Sequence, residues 1–94
     1  MDGTNKNTSP DSVEELKLLL AERRHHDALK AWKGVQPTHP RFEGARLLLA
    51  ESLLSARPDI ALTLLRAAVA YNPRSYKAAR LLAHAYRLTA TRKI

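Results

Sequence analysis

An all-helical fold of antiparallel hairpins, about five helices in all, is what this sequence predicts, and three observations carry that expectation. Alanine and leucine supply the apolar positions, isoleucine and valine are scarce, and aromatic residues make up only 5% of the chain. That mix suits packed helices better than sheets. Apolar residues recur at intervals of three and four, the period of a helix face. Proline, glycine and asparagine then cut the chain into short segments, with no convincing strand between them.

Residues 1–10 contain Gly, Asn, Thr, Ser and Pro, with one acid, one base and a single apolar residue, and a disordered leader is expected there. The first helix starts at Asp11 or Ser12, either of which can cap it, with Glu14 or Glu15 completing a capping box. Val13, Leu16, Leu19 and Leu20 form its apolar face, and the run Arg23-Arg24-His25-His26 ends it. A shorter helix from about Asp27 to Gly34 turns Ala28, Leu29, Ala31, Trp32 and Val35 inward, and Pro37 and Pro40 follow it. The third helix runs from about Arg41 to Ser55. The fourth opens at Pro58-Asp59 and stops before Asn72-Pro73. The fifth runs from Arg74 or Ser75 to Ala90 and carries a frayed tail. The expected domain is therefore 11–94, with hairpins at 12–35 and 41–72 and a capping helix at 74–90.

Composition narrows the function classes. There is no cysteine, so disulfides and thiolate metal sites are excluded. No run of about 18 apolar residues is available to span a bilayer. Residues 1–10 lack a signal-peptide core, and a cytoplasmic location is expected. The net charge of +7 is unevenly spread. Residues 1–59 hold all nine acids and nine bases; residues 60–94 hold no acid and seven bases, Arg66, Arg74, Lys77, Arg80, Arg87, Arg92 and Lys93. So one-sided a field favours an anionic partner.

The chain also resembles itself. Ala45-Arg46-Leu47-Leu48 recurs 34 residues on as Ala79-Arg80-Leu81-Leu82, with Phe42 matched by Tyr76. At an offset of 33, Ala28-Leu29 recurs as Ala61-Leu62, Trp32 meets Leu65, and Pro40-Arg41 meets Pro73-Arg74. A period of 33 to 34 over a helix–turn–helix unit, with Ala45, Ala61 and Ala68 as small packing residues and Pro73 closing the unit, resembles the tetratricopeptide repeat (TPR) family. The resemblance spans roughly residues 12–90 as two and a half units. It departs from the family pattern at Leu49 and Ser52, and the first hairpin is about one turn short. A short right-handed TPR-like array is what this resemblance implies.

Such arrays bind partners on a concave surface built from the first helix of each hairpin, so the resemblance implies a protein-protein interaction module, a small chaperone or an adaptor. Arg46, Leu53, Leu54, Arg74, Lys77, Arg80, His84, Arg87 and Leu88 are the expected partner-binding residues. Lys77, Arg80, His84 and Arg87, spaced 3, 4 and 3, make one basic stripe. Leu81 and Leu88, with Ala78 and Ala85, flank it as incompletely covered residues. Tyr76, Ala79, Leu82, Ala83, Tyr86 and Ala90 are expected to point inward. A basic, leucine-flanked groove of this kind suits an acidic segment or a partner helix, or a second copy in a homodimer through the last helix. The carboxylate clamp of some family members is not expected, because Leu81 stands where an arginine is required. Small TPR chaperones of bacterial secretion systems match better in size.

Nucleic acid is the alternative, using the basic C-terminal helix, but with Tyr71, Tyr76 and Tyr86 inward it would lack stacking aromatics. Catalysis, cofactors and metals are not expected. His25 and His26 point about 100° apart on a helix and cannot share one ion as an i, i+4 pair could. His39 lies in a proline loop and His84 in the basic stripe, both as surface or packing residues. Glu14 and Glu15 complement a helix macrodipole, and Phe42-Glu43-Gly44-Ala45 lacks the spacing of a phosphate loop.

Overall fold

The computed structural model describes residues 11–92 and contains five helices in that stretch, with no strand among the described residues. They are α1 (Ser12–Ala21), α2 (His25–Trp32), α3 (Phe42–Leu53), α4 (Pro58–Tyr71) and α5 (Tyr76–Arg92). The expected leader, residues 1–10, and the end of the expected tail lie outside the described residues. No helix among the described residues is long and apolar enough to cross a membrane. The chain divides into two compact units, one ending at Phe42 and the other beginning at Glu43.

In the first unit, α1 and α2 form an antiparallel hairpin. Asp11 caps α1: its Oδ1 accepts hydrogen bonds from the backbone N–H groups of Val13 and Glu14, both at 2.9 Å. The Glu14 carboxylate, expected to bond back to the cap, accepts from Arg41 Nη1 instead (2.9 Å). Val13, Leu16 and Leu20 are buried against Ala28 and Val35, as their spacing requires. α1 ends in a tight reversal. The Arg24 N–H reaches the Leu19 carbonyl (2.9 Å) and the Arg23 N–H the Leu20 carbonyl (3.0 Å), and Arg23 adopts φ 60°. This is the double bond of a Schellman turn, with an arginine in the left-handed position that glycine normally fills.

The reversal also explains why α2 begins two residues before the expected Asp27. Arg24 becomes its N-cap without any side-chain cap bond. Asp27 then sits in the first turn, where its Oδ2 accepts from Arg24 Nε and Nη2 (3.0 and 2.6 Å). Trp32, expected to turn inward, is half-buried, and it stacks on Phe42 with ring centroids 4.8 Å apart.

In the second unit, α4 and α5 are antiparallel across the short turn 72–75, and α3 contributes Ala45, Leu49, Ala50 and Leu53 to the same core. Pro58 opens α4 at its first turn, where a missing N–H costs nothing, and is itself buried. Ala61, Leu65 and Ala68 follow at helical spacing on the buried face. The α4–α5 turn is held by side-chain caps: Asn72 Oδ1 accepts from the Arg74 N–H (3.2 Å) and Ser75 Oγ from the Ala78 N–H (3.1 Å).

The buried face of α5 is not the expected one. Ala78, Leu81 and Ala85 are in the core, with Leu82, Leu88 and Thr89 partly covered at its edges. Tyr76, Ala79, Ala83, Tyr86 and Ala90 are exposed. Burial thus pairs Ala45 with Ala78, not Ala79, just as it pairs Ala28 with Ala61. The repeat runs at 33 residues in both cases, and the 34-residue match of Ala45-Arg46-Leu47-Leu48 is one position out of register. The physical reason lies in the leucines. Leu81, Leu82 and Leu88 share one arc of the helix and are covered without stranding a polar group, whereas a buried tyrosine needs a partner for its hydroxyl.

Candidate partner-binding surface

On a helical wheel, Tyr76, Ala79, Ala83, Tyr86 and Ala90 recur at intervals of 3, 4, 3 and 4, so they form one straight stripe along the outer face of α5. Tyr76 is 80% exposed and Tyr86 44%. Arg87, Arg80, His84 and Lys77 border the stripe in that order, moving away from it. α5 therefore carries two apolar faces: a leucine face packed into its own unit, and a tyrosine–alanine face left uncovered beside a row of cations.

The uncovered face continues into an open groove of about 490 Å³ between the start of α4 and the end of α5. It is lined by Asp59, Leu62, Arg66, Tyr86, Thr89 and Ala90. Arg66 holds the Tyr86 ring in place. Its Nε donates to the Tyr86 hydroxyl at 3.2 Å, and its guanidinium lies 5.8 Å from the ring centroid. Thr89 Oγ1 donates back to the Ala85 carbonyl (3.0 Å) and lies 3.1 Å from the Tyr86 carbonyl. Asp59, at the groove's far end, is held below the usual carboxylate range by the hydrogen bond from Arg57.

The expected site residues do not all reach this surface. Leu53 has no exposed area, so it is a core residue and cannot line a groove. Leu81, Ala78 and Ala85, expected to stand open beside the basic stripe, are buried for the reason given above. Leu54 and Leu88 are only partly exposed. Arg46 is half-buried on α3 and pairs with Glu43 (3.2 Å). Lys77 is exposed and bridges from α5 to Glu51 of α3 (3.3 Å), a solvent-facing pair worth little to stability. Arg87 Nη2 lies 3.1 Å from His84 Nδ1. Arg74 and Arg80 are exposed, and their side chains have no ion-pair partner among the described residues.

Sequence reasoning missed the tyrosines: Tyr71, which is 69% exposed at the end of α4, and Tyr76, at the start of α5, frame the turn that carries Arg74. The clustering of leucines on the opposite arc of α5 was the signal that could have placed Tyr76 outside. A second, smaller cleft of about 110 Å³ lies inside the same turn, between Glu43, Gly44, Leu47, Ala68, Tyr71 and Ser75. It falls well below the roughly 300 Å³ of an ordinary small-molecule site.

The first unit carries a separate polar cluster. Arg41 Nη2 meets Asp11 Oδ2 at 3.0 Å, Arg41 Nη1 meets Glu14 Oε2 at 2.9 Å, and His39 Nε2 lies 3.5 Å from Asp11 Oδ2. His39 Nδ1 accepts from the Arg41 N–H (3.0 Å), which fixes the loop. The Glu14 amide, together with His39, the Val13 amide and Arg41, holds the Asp11 carboxyl below its ordinary range. With its carboxylates saturated by these donors, the cluster reads as a fastening of the loop to the start of α1. No group of three or more His, Asp or Glu suited to a metal ion occurs among the described residues. No family model matches the chain, and neither does any curated protein or solved structure.

Proposed function

We propose that this chain is a TPR-like interaction module, working by binding rather than by chemistry, as an adaptor or small chaperone for a partner helix. The observation that carries the reading is the second apolar face of α5. A soluble helix gains nothing from leaving Tyr76, Ala79, Ala83, Tyr86 and Ala90 in water. A straight 3-4-3-4 stripe beside an open groove offers the surface on which a helix packs with ridges in grooves. Alanines let the two backbones approach closely, and tyrosines supply large contact area at low entropic cost. The border of Arg87, Arg80 and Lys77 selects a partner with carboxylates along its flank, and adds long-range steering. The partner surface is thus the tyrosine–alanine stripe with its basic border, in place of a leucine-flanked groove.

The test uses a designed amphipathic helical peptide with leucines on one face and glutamates beside them, followed by fluorescence anisotropy. Binding is expected to weaken at least about tenfold, or roughly 1.4 kcal/mol, in an Arg80→Glu, Arg87→Glu double variant. A counterpart peptide with lysines replacing the glutamates is expected not to bind. Equal affinity for wild type and double variant would refute the reading.

A nucleic-acid reading has one observation in its favour, the exposure of Tyr71 and Tyr76 around Arg74 and Lys77. Stacking on such rings is worth about 1–3 kcal/mol per base. A labelled single-stranded oligonucleotide in the same assay distinguishes it. Binding that Tyr76→Ala abolishes, and that falls steeply with salt, would favour this alternative.

A further inference from the structure

α1 carries Glu14 and Glu15 in its first turn and Glu22 at its C-cap, and its outer face complements α5. Leu18, at 59% exposure, is the one large aliphatic side chain that stands clear of the surface among the described residues. On a helical wheel Glu14, Glu22 and Glu15 lie within about 60° of it, and Ala21 completes the patch. All five are exposed. Glu14 and Glu22 each share charge with a neighbouring arginine, Arg41 and Arg24, while Glu15 has no ion-pair partner among the described residues. A leucine ringed by glutamates fits against a stripe of alanines and tyrosines bordered by arginines. Symmetric pairing of α5 with another α5, by contrast, sets Arg80 and Arg87 of one copy near those of the other, and like charges oppose it.

We propose that the occupant of the α5 surface is α1 of a second copy of this chain, so that copies associate head to tail. The proposal rests on the partner-helix reading of α5 and names the partner. Leu18 of one copy seats on Ala79 and Ala83 of the next, with Glu15 and Glu22 facing Arg80 and Arg87. The contact is heterologous, because two different patches meet, so each dimer still presents one free α1 face and one free α5 face. Growth beyond two copies is therefore built in unless a ring closes. A ten-residue helix offers less area than a standard stable interface, so the association depends on concentration.

Sedimentation equilibrium of the full chain over a range of concentrations tests this. The weight-average mass is expected to rise from the 10.5 kDa of one copy past twice that value. It should fall back in about 1 M salt, where the Debye length is about 3 Å. Leu18→Asp alone, the pair Glu15→Lys with Glu22→Lys, and the pair Arg80→Glu with Arg87→Glu should each return the protein to a single copy. All these positions are exposed, so circular dichroism should stay unchanged. Mixing the two charge-reversed pairs should restore association, because each then offers the surface that the other lost. Association that Leu18→Asp leaves intact, or failure of the mixture to associate, overturns the proposal. A wild type that stays at one copy yet binds the acidic peptide overturns it too, and leaves the partner-helix reading standing; a wild type that does neither removes both.

Discussion

The two units solve the same problem, holding short helices together, with different materials. In the second, Leu49, Leu53 and Leu65 have no exposed area, and Ala61, Ala78 and Ala85 pack as closely. Its ion pairs Arg57–Asp59 and Lys77–Glu51 lie on the surface, and Arg46–Glu43 is half-buried at its edge. In the first, Val13, Leu16 and Ala28 form a smaller core, and residues 30 and 27 apart are joined by charge, Arg41 to Asp11 and to Glu14. One helix reversal there also sits on an arginine at positive φ. Apolar burial is indifferent to pH and tolerant of surface change, which suits a unit proposed to present a binding face. The polar fastening makes the first unit the one that responds to acid.

Substitutions can sharpen that contrast. The largest effect is expected from Leu65→Ala, which removes a fully buried side chain and should cost about 3 kcal/mol in chemical denaturation. Smaller changes of opposite chemistry should stabilise the two units. Arg23→Gly relieves the left-handed backbone after α1 and should gain about 1 kcal/mol. Gly44→Ala in α3 adds a methyl group that meets nothing within 4 Å, and should gain about 0.5 kcal/mol from helix propensity. A loss from either, measured by the denaturation midpoint, would break the account of that turn or helix.

The acid response is the smallest effect. The Asp11 carboxyl has a folded pKa below its unfolded value. Its contribution is therefore fully present above the ordinary aspartate value and is lost as pH falls from there through the lower folded value. Thermal melts should show a midpoint that drops across that acidic window, and Asp11→Ala should flatten the drop. Asp59 shifts in the same direction, but its partners are local, Arg57 two residues away and the backbone at Asp59 and Ile60, so Asp59→Ala should change the acid limb less. An equal change from both variants would erase the distinction between the units.

The parts of this molecule that sequence revealed are those written in local chemistry. Pro58 and Asn72-Pro73 bracket α4 at Pro58–Tyr71 because proline acts on its immediate neighbours. Asp11 was legible as a cap for the same reason. The start of α2 was not, since it follows from a reversal at Arg23, a residue type that seldom adopts positive φ. The fastening of Arg41 to Asp11 was equally hidden, because no spacing rule pairs charges 30 residues apart. α5 misled for a subtler reason: it has two apolar faces with helical spacing, and periodicity alone cannot choose which is buried. The basic stripe of Lys77, Arg80, His84 and Arg87 was read correctly as exposed, while the residues beside it were exchanged with those of the core. What lay concealed was which side of one helix its own unit uses.

The uncovered side of α5 is the proposed partner surface. Amide chemical-shift mapping of the labelled chain with the acidic amphipathic peptide tests it most directly. The account predicts shifts concentrated at Leu62 and Arg66 of α4 and at Tyr76, Ala79, Arg80, Ala83, Tyr86, Arg87 and Ala90 of α5. Shifts confined to α1 and α2, or a spectrum that the peptide leaves unmoved at saturating concentration, would contradict it.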